Sequence, residues 1–129
     1  MGKILRFENW PEILANEIAA ADRPFVWGEW DCCLFAAHVV HAMTGEDFAK
    51  SFRGYRTKND ALKLLKQHGG VSGIASKFLP EIPIAFASRG DVVEFDDALG
   101  ICIGQWSMFL TETELVKLPT LDGVRAWSV

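Results

Sequence analysis

The chain has 129 residues, half of them hydrophobic and 23% charged, with a net charge of −4. At roughly 100–200 residues per domain, that length makes residues 1–129 a single domain with enough apolar residues to fold without a disulfide or structural metal. Thirteen basic against seventeen acidic residues leave no cationic footprint for nucleic acid, and no apolar run approaches the ~20 residues that cross a bilayer.

The start, Met1 to Glu8, lacks the apolar core of a secretory signal. Gly2 follows Met1, but Arg6 stands where acylation at Gly2 wants Ser or Thr. Cys32, Cys33 and Cys102 are odd in number, and the first two are neighbours, which fits a reducing compartment better than a disulfide scaffold. Synthesis in the cytoplasm is the expectation.

The first half reads helical. Asn9 is placed to cap a helix from Trp10 to Ala21, with Pro11 in its first turn and Trp10, Ile13, Leu14, Ile18 and Ala21 on one face. A second helix is predicted from Asp31 to Thr44, stopped by Gly45. It is apolar almost all round, which predicts burial at the centre of the domain. A third fits Asn59 to His68; Lys63 and Lys66 read as its solvated face. A short fourth covers Ser72 to Leu79. From Arg89 the pattern turns to strands: Asp91 to Phe95, Leu99 to Gly104, Trp106 to Leu110, then Glu114 to Leu118 and Ala126 to Val129. Short loops between them predict antiparallel neighbours. Helices followed by a meander make an α+β layout, with the helices on one side of the sheet. Phe35, Val39, Leu65, Val92, Ile101 and Ile103 are the expected core.

The stretch Phe25-Val26-Trp27-Gly28-Glu29-Trp30-Asp31-Cys32 carries the chemistry. Asp31 sits where a helix cap is wanted, Gly28 lets the chain turn tightly, and Cys32 falls in the first helical turn. The positive end of a helix lowers a thiol's pKa, so Cys32 is a sensible position for a nucleophile. A small buried cysteine on a core helix is the competing reading.

Trp27-Gly28-Glu29-Trp30-Asp31-Cys32-Cys33-Leu34-Phe35 resembles the cysteine motif of the NlpC-type cell-wall peptidases, compact papain-like enzymes with the pattern aromatic-Gly-x-x-Asp-Cys-Ser-Gly-Phe. Arg89-Gly90-Asp91-Val92-Val93-Glu94-Phe95 resembles their Pro-Gly-Asp-Leu strand, and Leu99-Gly100-Ile101-Cys102-Ile103-Gly104 resembles their Val-Gly-Ile-Tyr strand. The chain is also similar to small phage and prophage proteins with Trp-Gly-x-x-Asp-Cys and Arg-Gly-Asp-Val in this order, many encoded among tail genes. The resemblance implies a papain-like layout, with N-terminal helices packed on a C-terminal antiparallel sheet. It also implies a nucleophile position at Cys32 and a cleft near Trp27, Trp30 and Asp97.

The departures bear on function. The histidine that starts the Val-Gly-Ile strand in those peptidases, the general base, is Ala98 here. No histidine follows on the next strand, and Ser-Gly after the cysteine is Cys33-Leu34. His38 and His41 lie on the Cys32 helix itself, rotated about 240° and 180° from Cys32 and more than a turn along the axis. His68 sits at a helix C-terminus. Asp96 and Asp97 flank the vacant position, but a carboxylate with an ordinary pKa near ~4 is a poor base at neutral pH. Cys32-Cys33 with His38 or His41 gives no metal-ligand spacing, so neither a metal nor a cofactor is expected. Arg89-Gly90-Asp91, the adhesion tripeptide, leads into a predicted buried strand and reads as chance.

Three roles remain open. The first is a phage- or prophage-type tail or assembly protein with a degenerate peptidase fold, virion-associated, with tail or envelope partners. The second is a thiol hydrolase on cell-wall peptides that uses an unrecognised base. The third is a ligand- or partner-binding module using the remnant cleft. Ala98 favours the first and third.

Overall fold

A computed structural model describes residues 5–129 of the chain. The reading of Met1 to Ile4, including Gly2, lies outside them. Four helices precede the sheet: α1 (Trp10–Ala19), α2 (Leu34–Thr44), α3 (Lys58–Gln67) and α4 (Gly70–Phe78). The strands are β1 (Glu81–Ile82), β2 (Val92–Phe95), β3 (Ala98–Cys102), β4 (Trp106–Leu110), β5 (Leu115–Pro119) and β6 (Arg125–Trp127). The protein is α+β, with one six-stranded sheet in the order β1-β6-β2-β3-β4-β5 and every neighbouring pair antiparallel.

Helix boundaries shift where a cap differs from the expected one. Asn9 precedes α1 but makes no side-chain cap bond, and the helix ends at Ala19 rather than Ala21. Thr57 caps α3, its side chain accepting from the Asp60 amide at 3.1 Å, and the helix runs from Lys58 to Gln67 rather than from Asn59 to His68. Left-handed Gly69 precedes α4, which starts at Gly70, two residues before Ser72. Gly45 closes α2 as expected, at φ +80° with its amide on the His41 carbonyl.

β2 to β5 form the expected meander. β6 then returns to lie between β2 and the two-residue β1, an element the sequence reading did not contain. The two sheet faces pack differently. Val92, Leu99, Ile101, Leu110 and Trp127 join the main core with α2, whose Phe35, Val39, Val40 and Met43 are fully buried. Val93, Cys102, Phe109 and Ala126 form a smaller cluster on the other face.

Two expected core residues are only half-buried. Leu65 looks into a cleft, and Ile103 lies beyond the end of β3, where Gly104 turns the chain at φ +119°. Ile101, between Val92 and Met108 on the helix-facing side, is fully buried. Ile101→Ala is expected to cost about 2–5 kcal/mol in denaturant melts; a loss below about 1 kcal/mol would mean that this face is not the core.

Candidate functional site

The entry to α2 is organised by one buried carboxylate. Asp31 is completely enclosed. Its Oδ1 accepts from the amides of Cys33 at 3.1 Å and Leu34 at 2.9 Å, and its Oδ2 accepts from the Gly28 amide at 3.0 Å. The Tyr55 hydroxyl donates to the same Oδ2. The Asp31 carbonyl in turn receives the Phe35 amide at 3.1 Å. Asp31 therefore caps α2 as the sequence predicts, although regular helix begins only at Leu34. Cys32 lies in the turn just before it, not in the first helical turn. Gly28 is required at φ +81°: a Cβ there would sit 1.9 Å from the Tyr55 carbonyl oxygen. Tyr55, the only tyrosine of the chain, lies in the irregular segment between α2 and α3. Nothing in its local sequence marks it as a partner of Asp31.

Next to this turn the sheet comes close. The Leu99 amide donates to the Cys32 carbonyl at 3.1 Å, which fixes the start of β3 beside the cysteine. Cys32 and Ala98 consequently line the same cleft, of about 410 Å³. Trp27 and Asp97, both expected there, line it too. Trp30 does not. It is buried, its Nε1 donates to the Ala21 carbonyl at 3.1 Å, and the Arg23 guanidinium covers its ring at 3.8 Å. Its size and position next to the motif suggested a cleft residue, but a buried indole with its N–H satisfied by backbone is core.

The cleft has walls that periodicity alone did not reveal. Ala61, Leu62 and Leu65 of α3 form one side, and Phe95, Phe109, Val116 and Leu118 of the sheet form the other. Asp96 and Asp97 make the tight β2–β3 turn, both left-handed at φ +48° and +61°, which is strained backbone for residues with a side chain. The turn thereby carries two exposed carboxylates to the cleft.

Cys32 is half-buried. Its thiol is pushed up to about 11, first by burial and next by the Asp31 carboxylate. This overturns the expected activation. The amides at the positive end of α2 are spent on Asp31, so the helix terminus presents a neutralised end to the sulfur rather than a bare one. At neutral pH a thiol of this kind is thiolate on the order of one part in ten thousand. Cys33 is buried beside it and shifted upward as well, again chiefly by desolvation.

None of the three histidines lines the cleft. The His38 Nε2 pairs with the Glu17 carboxylate of α1 at 2.9 Å, His41 borders a different hollow, and His68 packs on Phe52 with the Lys77 ammonium at 2.7 Å. No group of three metal-ligating side chains occurs among the described residues. The Arg89-Gly90-Asp91 tripeptide serves structure. Asp91 is buried and its Oδ1 takes the Arg6 guanidinium and the Val129 amide, each at 3.0 Å. No helix among the described residues is long and apolar enough to cross a membrane.

The family described as "Domain of unknown function (DUF6950)" matches residues 5–129. The chain belongs to that family. No curated protein and no solved structure matches it. The DUF6950 match contains every residue of the cleft, from Phe25 to Leu118, so the cysteine, Ala98 and both apolar walls lie inside the family unit.

Proposed function

We propose that this chain is a binding protein on an NlpC-type, papain-like layout whose cysteine has lost its general base, acting as a phage- or prophage-type tail or assembly component. The observation that carries the reading is the Leu99 amide on the Cys32 carbonyl, which brings the start of β3, with Ala98, beside the cysteine; by the sequence resemblance, Ala98 stands where a peptidase of that type has its histidine. A methyl group neither takes the thiol proton nor returns one to a leaving amine, and each such role is worth about 10²–10⁴ in rate. The upward shift of the thiol supports the same conclusion. The apolar walls of the cleft support binding instead. The setting in a tail or its assembly rests on the resemblance to small phage and prophage proteins.

The test compares wild type, Cys32→Ala and Ala98→His on purified peptidoglycan fragments. No hydrolysis by wild type is expected. Hydrolysis by wild type that disappears in Cys32→Ala would establish a working thiol hydrolase and overturn the reading. Affinity capture against purified tail and envelope proteins tests the setting; binding to neither removes it.

A further inference from the structure

The Cys32 cleft joins apolar walls to an acidic rim. Phe25 and Trp27 stand near the cysteine, Leu62 projects from α3 with half its surface exposed, and Phe109 and Val116 face it from the sheet. Around this apolar space stand Asp96, Asp97, Glu112 and Lys58. Lys58 lies 3.8 Å from Glu112, whereas Asp96 and Asp97 have no cationic partner among the described residues. The rim therefore carries an uncompensated negative charge beside an apolar slot.

The volume of about 410 Å³ accommodates a few side chains rather than a folded element. Strand addition is a poor way in. β5 is the edge strand on the cleft side, but Pro119 offers no amide and Lys117 lies over the Trp106 ring at 5.0 Å, both features that guard an edge. A second copy of this chain, itself at −4, is repelled by the rim.

We propose that the cleft captures a peptide segment of a partner protein in which one or two aliphatic or aromatic side chains stand next to Lys or Arg. The apolar side chains enter between α3 and the sheet, and the cation sits against Asp96 and Asp97. The proposal rests on the reading of the cleft as a binding site.

The experiment is a random-peptide display selection on the full chain carrying Cys32→Ala, which leaves any bound peptide intact. Selected peptides are then made synthetically and titrated by calorimetry. The expected result is enrichment of apolar residues next to Lys or Arg. Binding should weaken about tenfold or more in Leu62→Asn, which takes an apolar side chain out of the wall without adding charge. It should weaken about three- to tenfold in the Asp96→Asn/Asp97→Asn double variant. Asparagine tolerates left-handed backbone, so the second variant keeps the turn even if the first disturbs α3. Raising salt to about 0.5 M should reduce binding of the unmodified cleft and leave the double variant little changed. No enrichment, enrichment of neutral or acidic peptides, or binding indifferent to both variants overturns the proposal. So does self-association that Leu62→Asn abolishes. Cleavage of the selected peptides by wild type but not by Cys32→Ala would sink the non-hydrolytic reading alone, because the charge preference is measured on the variant.

Discussion

Asp31→Ala lowers stability by on the order of 4 kcal/mol or more, the largest effect expected of a single substitution at the site. Four donors lose their acceptor at once: the amides of Gly28, Cys33 and Leu34 and the Tyr55 hydroxyl. Asp31 and the Cys33 and Leu34 amides are closed to water, so those two amides recover no partner without local opening. Asp31→Asn keeps one acceptor oxygen and should cost clearly less. Urea melts of the two variants measure this. A loss below about 1 kcal/mol for Asp31→Ala would show that the α2 entry does not depend on the carboxylate.

Trp127→Ala is expected to cost about 3–5 kcal/mol, the range for a large aromatic removed from a core. Trp127 is the largest fully buried side chain. It lies on β6, opposite Glu81 and Val92, where the returning strand joins β1 to the rest of the sheet. Its Nε1 donates to the Ser76 Oγ at 2.9 Å, which ties β6 to α4. Trp127→Phe keeps most of the apolar area, loses that bond, and should cost about half as much or less. Equal losses for the two would mean that the ring volume is not what holds the strand.

The parts of the fold with strong local signals were legible. α2 was marked by its continuous apolar run and by Gly45, and β2 to β4 by short apolar segments separated by turns. β1 was not: two residues between Pro80 and Pro83 carry no period, and the strand exists only because β6 returns to pair with it. At the site, adjacency in sequence led to Asp31 at the α2 entry and to Cys32 and Trp27 on one cleft, but misled for the position of Cys32 relative to the helix and for Trp30. That indole turns inward because the Ala21 carbonyl satisfies its N–H. Tyr55 and the walls from α3 and β5 come from distant parts of the chain and share no motif with the cysteine, so only the folded structure collects them. The thiol's activation was misjudged for a physical reason. A helix terminus near a cysteine was visible in the sequence, but that its amides are already committed to Asp31 was not.

The pH dependence of Cys32 alkylation tests the central claim, that this thiol is not a primed nucleophile, most directly. Cys33 and Cys102 are buried, so mass-resolved iodoacetamide labelling of the native protein reports Cys32. Because the folded state raises this acid from its ordinary 9.0 to about 11, it favours the neutral thiol; its contribution to stability is complete below about 9 and fades as pH rises through about 11. The labelling rate should accordingly be slow at neutral pH and climb without a plateau toward pH 11, or until alkaline loosening of the fold. A rate already level at about pH 7, the signature of a thiolate held by a cationic partner, would contradict it.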